Sequence, residues 1–295
     1  MKIKGLVLTA LLAATTVITG CGGDANSNGA GGSNSGKIVV GLDDEFPPMG
    51  FRDDKNEITG FDVDLAKEAA SRLGRDVEFK AIDWSSKEAE LKSKRIDVLW
   101  NGLDITPERQ ENMLFSAPYM DNRQIVFVRH TESPSTINSE ADLAGKIVGT
   151  QSASTAEDYF NKNEGLKSSF AELKTYSDFT SAFMDLENGR IDAVVHDEIV
   201  GRYYMSKIVF RDLEKGNIDA VAKDENAGVS QQPEKIVALD VVIGPVSQFG
   251  IAFRKDDTNL RDEVQKVFDE MVKDGTAKKI SEQWFGKDLI KSKYQ

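Results

Sequence analysis

The chain is poor in the residues that most often carry covalent and metal chemistry. Its 295 residues include one cysteine, Cys21, which excludes an intramolecular disulfide and a cysteine-rich zinc site. There are two histidines, His130 and His196, so little material exists for imidazole-based catalysis. Positive charge is also short, with 37 Lys and Arg against 49 Asp and Glu and a net charge of -12. Neutralising phosphates requires a basic face, so no nucleic-acid partner is expected. The same sign disfavours electrostatic adhesion to anionic lipid. What is present is enough apolar material, 40% of residues, to bury a core in one large domain or two ordinary ones.

The N-terminus reads as an address. A basic start, Met1 to Lys4, precedes an apolar run from Gly5 to Thr19, shorter than the roughly 20 residues of a bilayer-spanning helix. Residues 1–20 have the build of a secretory signal peptide. The run ends in Ile18-Thr19-Gly20-Cys21, which resembles the lipobox of bacterial lipoproteins, with Ile18 in place of the commoner leucine. That resemblance implies acylation of the Cys21 thiol and cleavage just before it. Several acyl chains hold firmly, at about 0.8 kcal/mol per buried methylene. Residues 21–36, rich in Gly, Ser and Asn, cannot bury apolar surface and read as a flexible tether. A folded part from Lys37, working outside the cytoplasmic membrane, is expected.

Strand-like and helix-like runs alternate through that part. Lys37 to Asp43, Val77 to Ile82, Ile96 to Trp100, Ile125 to Val128, Lys146 to Gly149, Ile191 to Val195 and Gly250 to Phe253 read as strands. Phe61 to Leu73, ended by Gly74, reads as a helix, as do Ser86 to Lys94, Ser154 to Lys162, Ser177 to Glu187, Leu260 to Lys273 and Thr276 to Trp284. Thr106-Pro107-Glu108 opens another, with a capping hydroxyl and proline at its first position. The alternation predicts an α/β fold with largely parallel sheets. A short echo, Arg95-Ile-Asp-Val-Leu99 and Arg190-Ile-Asp-Ala-Val194, suggests two similar units whose strand ends would face each other across a cleft.

Several candidate ligand groups follow those strands. In Trp100 to Arg109, Gly102 permits close backbone approach and Asp104 stands beside it. Arg109 has the planar fork that grips a carboxylate, or is an exposed side chain paired with Glu108 or Glu111. Ser154 and Glu157 have capping-box spacing, so Ser154 caps a helix and its amides either form an anion seat or serve the cap alone. Asp197 suits an ammonium, or a helix N-cap. His196 beside it should alternate away from Asp197 and reads as packed or solvated rather than catalytic. Asp43 with Phe46, and Asp83 with Trp84, place aromatic faces near acids, as walls for a small polar molecule or as core.

Taken in order, these pieces resemble the bacterial extracellular solute-binding proteins of family 3, receptors of ABC importers for polar amino acids. The carriers include Val40-Gly-Leu-Asp43, Phe46-Pro-Pro48, Gly60 to Ala66, Lys94 to Asp97, Ile105 to Arg109, Phe115 to Tyr119, Gly189 to Asp192, Phe249 to Arg254, Asp274-Gly275 and Trp284-Phe285. The resemblance implies a two-lobed, type II periplasmic-binding-protein-like α/β fold hinged by two crossover strands. Lobe 1 would comprise residues 37–121 and 248–295, and lobe 2 residues 122–247. It also implies that Arg109 clamps an α-carboxylate, helped by the amides of Asp104 and Ser154. The Gly102 carbonyl, Asp104 and Asp197 would hold the α-ammonium. Asp43, Phe46, Trp84 and Asn101 would line the side-chain pocket, with Trp100 as a further wall. Ser152 stands where the family often has glycine and Ser154 where threonine is common. Residues 224–245 have no clear counterpart, which leaves any contact from Gln248 open.

The function implied is capture of one polar amino acid by a monomeric, lipid-anchored receptor that delivers it to an importer permease, with no metal or cofactor. The surplus of acids over Arg109 favours a basic amino acid or cystine over an acidic one. Two other readings stay open at this point. One is a cyclohexadienyl (prephenate or arogenate) dehydratase on the same scaffold, with Asp43, Glu45 or Asp197 as general acid. The other is a receptor feeding a membrane sensor.

Overall fold

A computed structural model describes residues 36–131, 135–214 and 235–291. Cys21, the leader and the tether lie outside these residues, as does most of the 224–245 stretch. The chain opens with β1 (Ile38–Leu42), β2 (Glu45–Phe46), β3 (Gly50–Arg52), β4 (Ile58–Thr59), α1 (Phe61–Arg72) and β5 (Val77–Ala81). There follow α2 (Lys87–Lys92), β6 (Val98–Asp104), α3 (Pro107–Asn112), β7 (Met113–Phe115), β8 (Met120–Arg129), β9 (Ile147–Gln151) and α4 (Thr155–Lys162). Next come α5 (Glu164–Ser169), β10 (Glu172–Tyr176), α6 (Phe179–Glu187), β11 (Ala193–Asp197), α7 (Glu198–Glu214), β12 (Ile236–Arg254), α8 (Thr258–Lys273) and α9 (Thr276–Phe285).

One mixed sheet runs in the order β10-β9-β11-β8-β12-β6-β1-β5, with β7 also paired to β12. The expected parallel pairing is confined to its two ends, β1 with β5 and β6, and β9 with β10 and β11. The middle is antiparallel because β8 and β12 form a long ribbon that joins both ends, and β6 and β11 each dock against one side of it antiparallel. Two register irregularities interrupt this ribbon, between Ala238 and Val242 and between Ile243 and Ser247. In each, four residues of β12 advance against two of β8. A separate small sheet, β2-β3-β4, was not legible as strands because its members are two or three residues long.

The sequence echo has a structural basis. Asp97 accepts from the Val39 amide and donates its own amide back to the Val39 carbonyl. Asp192 does the same with Ile147. The preceding residues Lys94 and Gly189 both turn left-handed, with φ of 62° and 69°. Ile96 packs over Gly41 and Ile191 over Gly149, so closely that a Cβ there would lie 2.5 and 2.6 Å from the isoleucine Cδ1. Each motif thus clips a strand-entering aspartate onto the first strand of its own end of the sheet.

Packing follows from alternation. α1 buries Phe61, Leu65, Ala66 and Ala69 against the sheet, and α8 buries Leu260, Val264, Val267 and Met271. On the other end, Phe127, Phe179 and Phe183 are wholly buried, with Phe127 edge-on to Phe183 at 5.1 Å. Gly201 on α7 lies where a Cβ would enter the Phe127 ring. Replacing helical glycine by alanine ordinarily gains up to about 1 kcal/mol, but overpacking a filled core costs roughly 1–3 kcal/mol. Gly201→Ala is therefore expected to lower the urea midpoint, and a raised midpoint would show that the Phe127 ring has room to move.

Candidate functional site

The register of the central ribbon brings two strand ends face to face. β6 runs against β12 so that Asp104 lies opposite Phe249, at the end of the ribbon where Phe249 pairs with Met120. β11 runs against β8 so that Asp197 lies opposite Gln124, near the middle of β8. Asn122 and Ser247 pair between them. The Asn122 amide donates to Asp104 at 3.0 Å and to Asp197. Asp104 also accepts from the hydroxyls of Ser247 and Thr155, each at 2.6 Å, and Asp197 from Gln124 at 2.6 Å. Burial raises both carboxyls to about 6, and for Asp104 the negative charge of Asp197 adds to it.

Asp43, just past β1, is the third acid. It accepts from Gln151 at the end of β9 at 2.6 Å and from the Glu45 amide at 2.9 Å, and burial raises it to about 6. Its own amide donates to Asn101 Oδ1 at 3.0 Å. Asn101 thereby fastens β6 to the residue after β1, and its Nδ2 has no hydrogen-bond partner among the described residues.

Arg109 is 5% exposed, which removes the surface-pairing alternative. The Thr106 hydroxyl caps α3 by accepting from the Arg109 amide, with Pro107 at the first helical position, as expected. The guanidinium donates to the Asp104 carbonyl at 3.1 Å and to Thr155 Oγ1 at 3.2 Å. Longer contacts reach the Ala153 carbonyl at 3.4 Å and Asp158 at 3.5 Å. Arg109 therefore spans from α3 to the start of α4. Ser154 does cap α4, accepting from the Glu157 amide, but Glu157 answers to the Ala153 amide rather than closing a box on Ser154.

Beside Ser152, Ala153 carries a left-handed φ of 55°. The hydroxyl that reaches Arg109 and Asp104 belongs to Thr155, one residue after Ser154. Trp100 is no wall of the site. It packs edge-on to Phe268 of α8 at 6.1 Å, on the face of β6 opposite Asn101.

Aromatic rings gather beside Asp43. Phe46 stacks near-parallel with Trp84, centroids 6.4 Å apart, and meets Phe179 and His196 edge-on at 5.7 and 5.5 Å. His196 is packed among these rings, and burial lowers it to about 3, so it is neutral at physiological pH. Alternation does not carry it clear of Asp197, because its Nδ1 lies 3.4 Å from Asp197 Oδ2.

Gly102 sits at φ 56°, a conformation that favours glycine, and a Cβ there would press on Phe46 at 3.0 Å. Its amide donates to Asp62 at 2.7 Å, and Asp62 also accepts from the Tyr119 hydroxyl at 2.9 Å. Burial pushes Asp62 up to about 7. Sequence reasoning missed this support, along with Asn122, Gln124, Gln151, Thr155 and Lys87. The amides lie on strands whose pattern signals burial but not partners. Lys87 opens α2 as an ordinary surface lysine would, yet it is 4% exposed.

With this geometry in view, residues 38–287 match the model of the bacterial extracellular solute-binding proteins, family 3, and the chain belongs to that family. It is 31% identical to the L-cystine-binding protein TcyJ of Escherichia coli K12, over 87% of this chain and 85% of that protein. It is also 31% identical to ABC transporter arginine-binding protein 1 of the same strain, over 96% and 99% of the two chains. Its fold matches the histidine-bound crystal structure of an ABC uptake transporter substrate-binding protein from Streptococcus pneumoniae. That match has a TM-score of 0.73 and 32% identity, over 87% of this chain and 95% of that one.

The four buried carboxyls make a pH prediction. Asp43, Asp62, Asp104 and Asp197 all titrate in the fold above their usual carboxylate range. These four carboxyls thus hold more protons in the fold than in the unfolded chain, which outweighs the single proton that neutral His196 gives up below its usual 6.5, and stability falls as pH rises from about pH 5 to pH 7. Glu90 and Glu198, held down to about 2 by arginine and lysine partners, act below it. Denaturation of the ligand-free protein should show greater stability at pH 5 than at pH 8, and the reverse order would contradict the raised values.

Proposed function

We propose that this chain is an extracytoplasmic receptor that captures one polar amino acid and hands it to an ABC importer. The relatives matched above are named for amino-acid binding, and the site supplies groups for both ends of such a ligand. Arg109 with Thr155 and the start of α4 takes the α-carboxylate, with the Ser154 and Asp104 amides assisting. Asp104, Asp197 and the Gly102 carbonyl take the α-ammonium, displacing the Asn122 amide that now bridges the two acids. Asp43, Phe46, Trp84 and Asn101 line the space for the side chain. The single observation that carries this reading is two buried aspartates, Asp104 and Asp197, bridged by one Asn122 amide, with the buried Arg109 on the Asp104 carbonyl.

Residues 37–121 with 248–295 form one lobe in this proposal and residues 122–247 the other, closing about β8 and β12. Contacts such as Arg109 to Thr155 and Asp43 to Gln151 are then lobe-to-lobe contacts of a shut cleft. Water leaves on closure, which strengthens both ion pairs. Cys21 carries the lipid that keeps the monomer at the membrane, and the tether gives it reach. The ligand is a basic amino acid or cystine, because three buried aspartates outnumber the cations around them.

Removing Arg109 leaves a carboxylate without its partner, a loss of roughly 3–5 kcal/mol for a buried pair. Arg109→Ala should weaken binding by about a hundredfold or more in calorimetry, and unchanged affinity would refute this placement of the carboxylate. A thermal-shift screen should favour arginine, lysine, histidine or cystine over glutamate and aspartate, and the opposite ranking would overturn the charge argument. Affinity should also fall as pH drops below about 6, because protonated Asp104 and Asp197 no longer attract an ammonium.

A further inference from the structure

Lys87 is the buried cation that the reading above does not use. Its ammonium donates to the Trp84 carbonyl at 3.2 Å and the Ala153 carbonyl at 2.9 Å, and lies 4.9 Å over the Trp84 ring. An ammonium has three N–H groups. Among the described residues, two are satisfied by main-chain carbonyls and none by a carboxylate. The Ala153 carbonyl that it grips is the one Arg109 also reaches, immediately before α4. Two buried cations therefore meet at one oxygen beside a helix N-terminus. Burial first and the charge of Arg109 second bring Lys87 down to about 8, against the smaller opposing pull of Asp158, Glu88 and Glu157. Such an arrangement is costly, and an entering anion relieves it.

We propose that Lys87 is a specificity-determining residue, a second cation of the anion subsite that makes the receptor demand a free carboxylate on its ligand. This rests on the placement of the ligand carboxylate at Arg109. Arg109 supplies the directional fork, and Lys87 adds a compact charge that, among the described residues, is hydrogen-bonded only to main-chain carbonyls. The carboxylate of the half-exposed Asp158, 3.5 Å from Arg109, offsets the two cations only in part, and a ligand whose carboxylate is replaced by a neutral amide leaves that shortfall in place, so the two together reject it. With Lys87 included, the site holds three acids and two bases, which still accommodates one extra positive charge on the side chain of the ligand.

The test uses the purified protein, the best amino acid from the screen and its carboxamide, measured by calorimetry for the wild type and Lys87→Met. Methionine keeps the length and apolar stem and removes only the charged end. Thermal unfolding of the ligand-free variant reports whether the fold is intact, and Lys87→Gln serves if methionine disturbs it. The expected result is that the variant binds the free amino acid about tenfold or more weaker while its affinity for the amide stays the same, so discrimination shrinks. Equal weakening of both ligands would assign Lys87 a purely structural role and overturn the proposal, as would no change in either. If the wild type itself binds no amino acid, the failure lies with the assigned function and not with Lys87.

Discussion

The site depends on keeping ionisable groups of both signs out of water at the junction of two strand ends. Asp43, Asp104, Asp197, Arg109 and Lys87 are each less than a tenth exposed. A lone buried charge is too expensive to keep, so such groups persist only where neighbours or a ligand neutralise them. Here the acids are raised by burial and held by amides and hydroxyls, which are weaker partners than a cation. The arginine is met by carbonyls and a hydroxyl at 3.1 to 3.4 Å and by one carboxylate, the half-exposed Asp158, at 3.5 Å. The protein's own groups therefore under-satisfy the site on both sides of the charge balance. The proposed zwitterion supplies what each side lacks.

That condition explains why the surroundings are so fully built. Asp62 and Tyr119 fix the Gly102 amide, which in turn orients the adjacent carbonyl. Asn101 ties β6 to the turn after β1. His196, kept neutral by burial, fills space among Phe46 and Phe179 without adding charge. Tyr119, Asn101 and His196 hold geometry without contributing formal charge to the balance.

Much of this was legible in the sequence, and the limits have physical causes. Thr106-Pro107 announced α3 and the position of Arg109, because capping chemistry is local. Asp97 and Asp192 signalled their shared role through a repeated tetrad of neighbours. The antiparallel middle of the sheet was not legible, since strand direction depends on which distant segment pairs with which, and β8 and β12 lie more than a hundred residues apart. For the same reason Asn122 and Gln151 went unnoticed: each matters only through a partner brought in by that pairing. Lys87 was hidden for another reason, because nothing in its immediate sequence distinguishes a buried lysine from a solvated one.

Both irregularities of the central ribbon place their surplus backbone in β12, while β8 runs on without extra residues. The second contains Gly244, left-handed at φ 69°, Pro245 and the well-exposed Val246. The two connecting strands are thus mechanically unequal. In the proposed closure of two lobes about this pair, β8 would serve as the axle and β12, with its surplus backbone, would be the member that gives, so the movement would carry a twist rather than open like symmetric jaws.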